Sequence, residues 1–274
     1  MPAVTAAAKI AARQSLHVGC QTNAWRIDPR DFSQVLAVLK EIKELGYEGF
    51  ETGFRNLQGQ FGDAPRARRE IEQTGLAFFG AHIFLTQYDA QTNIAPFDLI
   101  TNVVDGAARL GAQRLILSGG PAPDKAALGR KIAALDAAGK YAKAKGLRRI
   151  SYHNHAPEFS SGGAEIDALY RETDPELTGF VLDCGHAHRA GINVAEFFAR
   201  HHARIDGLHL RDYRGDNQVP LGQGDFDLRA LAAAARRAKW SGWVLNEEER
   251  ADGTKPGAEA VRPARQALRQ TFGI

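Results

Sequence analysis

Histidines and carboxylates gather in the second half of this chain, in short groups that each close an apolar run. Tyr152-His153-Asn154-His155 leads to Glu158, and Leu182-Asp183-Cys184-Gly185-His186 follows. Next come Leu208-His209-Leu210-Arg211-Asp212 and Val244-Leu245-Asn246-Glu247-Glu248-Glu249. Asp183 follows Gly179-Phe180-Val181-Leu182, and a carboxylate in that position is costly to bury unless it is paired or bound to a cation. A lone histidine at such a place is more often a hydrogen-bonded core residue than a ligand. Asp183, His209 and Glu247 end three consecutive apolar runs, which favours a shared metal site. Oxygen and imidazole donors without a thiolate suit one divalent ion (Mn²⁺, Mg²⁺, Co²⁺ or a catalytic Zn²⁺) with positions left open for substrate. Cys184, next to Asp183, should face the other way and is excluded as a ligand. His153 and His155 are two residues apart, so on an extended chain both point to one face.

Such groups need elements that bring them together. Hydrophobic patterning and breakers predict strands over 17–21, 49–52, 77–81, 114–118, 149–153, 179–182, 207–210 and 243–247. Helices are expected over 32–45, 65–74, 100–110, 127–145, 163–173, 194–202 and 228–238. Strand starts recur about every thirty residues, the length of one strand, one helix and two loops. Leu45-Gly46, Thr74-Gly75, Leu110-Gly111 and Lys145-Gly146 fit left-handed helix C-caps just before a strand. Eight strands alternating with helices imply a parallel sheet, and this regularity favours closure into a single (β/α)8 TIM barrel. The rival is an open doubly wound sheet, which would usually carry a glycine-rich phosphate loop after its first strand. Gln21-Thr22-Asn23-Ala24-Trp25 stands there instead. In a barrel the chemistry sits at the C-terminal strand ends, where Glu51 and His82 also fall, after the second and third strands.

Composition narrows the partners. The 274 residues suffice for one large domain, and a net charge of +3 from scattered Lys and Arg leaves no nucleic-acid or membrane footprint. Cys20 and Cys184 are too few for a disulfide framework and read as free thiols in a reducing compartment. No stretch approaches the ~20 apolar residues of a membrane span. The Ala-rich segment 3–12 lacks the features of a secretory signal. Residues 1–15 are expected to be a frayed tail or short leading helix, 16–274 the barrel, and the location cytoplasmic.

These motifs, in this order, resemble the xylose isomerase-like barrels, also called the sugar phosphate isomerase/epimerase family. The resemblance rests on the groups above, on Gly46-Tyr47-Glu48-Gly49-Phe50-Glu51, on Trp243-Val244-Leu245-Asn246-Glu247, and on the glycine-rich turn Leu221-Gly222-Gln223-Gly224-Asp225-Phe226-Asp227. It implies one divalent metal with four ligands, commonly Glu, Asp, His and Glu, from strands five to eight. Asp183, His209 and Glu247 match the last three. His153 stands where the family has its first glutamate, with Glu158 as the rival. His155 and His186 resemble the family's substrate-contacting histidines. Glu51, His82, Arg211 and Trp25 complete the expected substrate contacts, and Trp25, Phe54, Phe84 and Phe159 are placed to stack on a sugar ring.

The implied chemistry is proton abstraction next to a carbonyl that the metal polarises, through an enediolate. Glu247 is the first candidate base, with Glu158, His155 and His186 as partners. An isomerase or epimerase of a sugar or keto-sugar is the leading expectation. A dehydratase or lyase on a keto-polyol or keto-glycoside, similar to the inosose dehydratases, is the alternative, because His153 weakens a symmetric two-carboxylate epimerase. Endonuclease IV shares the barrel, but Asp225-Phe226-Asp227 lacks its Asp-x-His pair. A catalytically silent sugar-binding barrel is also open. The expected partner is a small carbohydrate, with neither nucleic acid nor membrane. Homo-oligomers are common in such barrels, though no feature here specifies one.

Overall fold

Strands that read as continuous apolar runs need cover on both faces, and a ring of helices around a closed sheet supplies it. A computed structural model describes residues 16–249 and 256–274. The first half of the chain runs β1 (His17–Gln21), α1 (Phe32–Glu44), β2 (Gly49–Gly53), α2 (Ala64–Gln73), β3 (Ala77–Ile83), α3 (Phe97–Leu110), β4 (Arg114–Ser118) and α4 (Lys125–Ala144). β5 (Ile150–His153), α5 (Ser160–Glu172), β6 (Thr178–Asp183), α6 (Cys184–Arg189), α7 (Val194–His201) and β7 (Ile205–Leu210) follow. A hairpin of β8 (Asp212–Arg214) and β9 (Asn217–Val219) precedes α8 (Leu228–Arg237), β10 (Trp243–Asn246) and α9 (Ala258–Phe272). β1 to β7 and β10 close into one parallel barrel, with β10 pairing β7 on one side and β1 on the other. The (β/α)8 expectation is met. The tail expected over 1–15 lies outside the described residues.

Local chemistry explains the boundaries. Asp31, Asp124, Asn193 and Asp227 cap α1, α4, α7 and α8 by accepting backbone N–H groups of the first turn. The glycines expected at four helix ends do adopt positive φ: 84° at Gly46, 68° at Gly75, 90° at Gly111 and 92° at Gly146. Two bulges shift the sheet register. Phe50 faces Phe78 while Glu51 faces Gly80, and Phe180 faces Ile205 while Val181 faces Gly207. The extra residues are Phe79 and Asp206. Phe79 joins Ile116, Val181, Trp243 and Leu245 in a buried cluster of its own. Gly49 makes room there, since a Cβ on it would lie 2.4 Å from the Trp243 ring.

Several features depart from the sequence expectations, the β8–β9 hairpin among them. α9 was not anticipated, because Pro263 interrupts its helical pattern although the helix runs through it. α6 is only six residues long, too short for a periodic signal. β7 starts at Ile205 rather than 207, the bulge at Asp206 having blurred the alternation. The glycine-rich turn is organised by one side chain. Asp212 Oδ1 accepts from the N–H groups of Tyr213 (2.9 Å) and Phe226 (3.2 Å), and Oδ2 from Gly222 and Gly224 (both 2.9 Å). Asp212→Ala should therefore lower unfolding stability by more than about 2 kcal/mol in urea titration, since buried donors lose their acceptor. A loss under half that size would show that the turn holds without it.

Candidate metal centre

Four neighbouring strands, β5, β6, β7 and β10, carry His153, Asp183, His209 and Glu247 at or within one residue of their C-terminal ends. All four side chains are buried, and one donor atom from each lies within 4.8 Å of the other three. His153 Nε2 is 3.5 Å from Asp183 Oδ2 and 3.7 Å from Glu247 Oε2, and His209 Nδ1 is 2.6 Å from Glu247 Oε2. None of these four atoms has an aligned hydrogen-bond partner. Buried polar atoms are normally satisfied. Donor atoms that converge on a common volume and meet only in poorly aligned ion pairs fit a cation, and this His/Asp/His/Glu cluster could hold one metal ion.

Neighbouring groups take up the other donor atoms. Asp183 Oδ1 accepts the His186 N–H at 2.7 Å, which caps α6 and leaves Oδ2 for the cluster. The Asn154 amide clamps the Asp183 backbone on both sides, at 3.0 and 3.1 Å. Glu247 Oε1 accepts from Asn23 Nδ2 at 2.9 Å, leaving Oε2. Glu51, expected at the substrate, is instead wholly buried beneath the histidines. It binds His209 Nε2 at 2.7 Å and His82 Nδ1 at 3.1 Å, and His82 Nε2 lies 2.8 Å from Ser118 Oγ. A carboxylate behind a histidine in this way fixes its tautomer and ring orientation. Ser118, Asn154 and Asn23 are given no role by the sequence. Neutral residues without a characteristic spacing leave no signal there.

Charge balance involves Arg211, which is buried and lies over Gly185. Its Nε is 2.9 Å from Asp183 Oδ2 and a terminal nitrogen is 2.5 Å from Glu247 Oε2. A Cβ at position 185 would fall 2.3 Å from Arg211 Cγ, so only glycine admits this packing. Burial would raise both carboxyl pKa values, but Arg211 and the adjacent histidines outweigh it and hold Asp183 and Glu247 well below the usual carboxylate range. Burial likewise disfavours a charged His209, yet Glu51 and Glu247 push it up to about 10. His155 goes the other way, lowered to about 2 by burial and then by His153 and His186. Burial also lowers His186 and His82.

Above the cluster opens a cavity of about 460 Å³. His82, His153, His155, His186, Arg211 and Glu247 line it, and Phe54 and Phe84 stand at its sides. The rings of His155 and His186 are 4.9 Å apart, and His153 and His155 are 5.0 Å apart. Three expected contributors face elsewhere. Glu158, in the turn over Ala156–Phe159, accepts from the Tyr152 hydroxyl at 2.6 Å and the His155 N–H at 3.2 Å. It is buried behind the cavity wall, and burial raises its pKa. Trp25 is buried and donates to Glu41 at 2.9 Å, and Phe159 packs on Phe197. Cys184 is a buried free thiol directed at the Leu182 carbonyl. No helix of the described residues is long and apolar enough to cross a membrane.

Residues 39–271 match the family described as xylose isomerase-like TIM barrel. Inosose dehydratase of Geobacillus kaustophilus is 26% identical over 248 residues, covering 77% of this chain and 79% of that protein. Inosose dehydratase of Salmonella typhimurium is 27% identical over 135 residues, covering 42% of this chain and 44% of its own length. The matched region thus spans less than half of that relative. A sugar phosphate isomerase/epimerase structure from Parabacteroides distasonis superposes with a TM-score of 0.73 at 20% identity, covering 98% of both chains. The IolI protein with bound zinc superposes at 0.74 with 17% identity, covering 94% of this chain and 98% of that one. These structural likenesses are of fold.

The paired charges give one expectation. Arg211→Met should cost the metal-free protein about 3–5 kcal/mol, because two buried carboxylates lose their counter-charge. Added Mn²⁺ should restore most of that loss in thermal denaturation. An equal loss with and without metal would mean that the guanidinium acts by packing alone.

Proposed function

The chain belongs to the xylose isomerase-like TIM barrel family, and we propose that it is a divalent-metal-dependent lyase that dehydrates a keto-polyol or keto-sugar. His153, Asp183, His209 and Glu247 would hold the ion, which when bound acts as a Lewis acid on a substrate carbonyl. The observation that carries the reading is the asymmetry of the cavity wall. Among the described residues, Glu247 is its one buried carboxylate, and Glu158 is turned back onto Tyr152. Imidazoles and Arg211 are among the other buried or half-buried titratable groups of the lining, and its remaining acids, Asp216 and Glu249, are exposed.

In this proposal Glu247 takes the proton next to the carbonyl. The neighbouring imidazoles of His155 and His186 pass a proton to the β-oxygen as it departs. Because burial keeps both imidazoles neutral at rest, the proton they deliver is the one Glu247 took, relayed through them to the leaving oxygen. Every group thus ends as it began, and the products are an unsaturated ketone and water. Arg211 bears on the same cavity and orients oxygen atoms of the substrate. Phe54 and Phe84 offer apolar walls suited to a ring. The sequence relatives named inosose dehydratases support this reaction class. Zinc in the fold relative supports a divalent ion here, with Mn²⁺, Mg²⁺ and Co²⁺ equally compatible with the donor set. An isomerase or epimerase is the second reading. It shares the first step, and the same imidazoles could return the proton to the other face.

Metal-loaded protein incubated with keto-inositols and keto-sugars in D₂O, followed by NMR, separates these. The lyase predicts α-proton exchange together with an unsaturated product. Glu247→Gln should reduce both by about 10²–10⁴-fold. His155→Ala should suppress elimination while leaving exchange measurable. An epimer formed without elimination would transfer the conclusion to the second reading. Absence of any exchange across these substrates would sink both and leave a sugar-binding barrel.

A further inference from the structure

The other end of the barrel carries a second cavity, of about 510 Å³, built around the strand starts of β4, β7 and β10. Arg114, Arg148, Arg149 and Lys239 line it, with Asp206 as the carboxylate among them. Four cationic side chains against one acid leave an excess of three positive charges. Asp206 is already saturated. It accepts from Arg149 Nε and from an Arg149 terminal nitrogen (2.7 Å), from Ser151 Oγ (2.7 Å) and from Arg114 (2.7 Å). His17, also in the lining, is engaged by Glu48 at 3.0 Å.

Three observations bear on what this cavity could bind. Arg114 is buried, yet its Nε has no hydrogen-bond partner, which is unusual for a guanidinium out of water. Arg148 and Lys239, both exposed at the rim, make no ion pair among the described residues, so their charge is left available to a ligand entering the cavity. Lys239 also follows α8 with φ +50°, a left-handed conformation, where α1, α2, α3 and α4 are each closed by glycine. An L side chain at such a position is strained, and strain retained where glycine would relieve it suggests that the side chain is needed.

We propose that this end of the barrel is a binding site for a small oxyanion of the phosphate type, either free phosphate or a phosphate monoester. Two guanidiniums and an ammonium around one cavity are the groups that recognise such an anion. The cluster Phe79, Ile116, Val181, Trp243 and Leu245 is buried within the fold beside it. The site is distinct from the cluster of His153, Asp183, His209 and Glu247, with which its lining shares no residue.

Trp240 and Trp243 line this cavity, so tryptophan fluorescence of the metal-loaded, full-length protein should report its filling. Titration with inorganic phosphate at constant ionic strength is expected to saturate, with the affinity confirmed by calorimetry. Arg148→Ala and Lys239→Gly should each weaken binding by about tenfold, as expected for loss of one charge-assisted contact. Lys239→Gly should also raise the melting temperature without phosphate, because it removes the strain. Glycerol 3-phosphate provides the second arm. Tighter binding than inorganic phosphate assigns the site to a monoester and weaker binding to the free ion, and either supports it. Saturable binding that both variants leave intact would belong to the metal end and overturn the proposal, as would no saturable binding of either ligand.

Discussion

Placing two carboxylates and two imidazoles side by side, out of water, at the ends of four adjacent strands is the condition around which this protein is organised. Two buried negative charges are tolerated only with positive charge at contact distance. Arg211 supplies part of it, as does His209, held protonated in the metal-free state by Glu51 and Glu247. Much of the surrounding sequence follows from this requirement. Gly185 is bare because Arg211 lies over it, and Glu51 is buried because His209 needs a partner on its far side. A divalent ion would relieve the same electrostatic demand in another way, which is why Arg211 and the metal belong to one balance.

The second organising device is division of labour between the two oxygens of a carboxylate. In Asp183 and Glu247 one oxygen is committed to a neutral N–H donor, from the His186 backbone and from Asn23. The other oxygen is left facing the cluster. Geometry at the centre is therefore set by ordinary hydrogen bonds outside it, carried on rigid strands. Glu158 shows the opposite outcome. Both of its oxygens are spent, on Tyr152 and on the His155 backbone, and it is withdrawn from the cavity. An acid that sequence proximity would have placed among the reactive groups is used here to hold the turn that presents His155.

How much of this could be read from the chain depended on what leaves a one-dimensional trace. Asp183, His209 and Glu247 stood out because a polar residue closing an apolar run violates the burial pattern. The barrel was legible for a related reason: strand and helix alternate at a steady interval, and glycine marks several helix ends. Ser118, Asn154 and Asn23 were invisible, since small neutral residues orient ligands without any periodic signature. Glu51 was noticed but given a substrate-facing role. Its partner His209 lies 158 residues away and is brought to it only once the barrel closes. Trp25 looked like a stacking platform because loops near a mouth are expected to reach the ligand, whereas its indole is tied to Glu41. Pro263 concealed α9 by interrupting a pattern that the helix itself tolerates.

Asp183 has one further consequence, for how variants of this protein are interpreted. One of its oxygens begins α6 and the other points into the cluster. Replacing it with alanine would remove a helix cap and a donor together, and α6 carries His186. Inactivity in that variant would confound a chemical loss with a displaced helix. Asparagine keeps an oxygen that can still cap α6 while changing the charge offered to a cation, so it separates architecture from chemistry at a residue where a single side chain serves both.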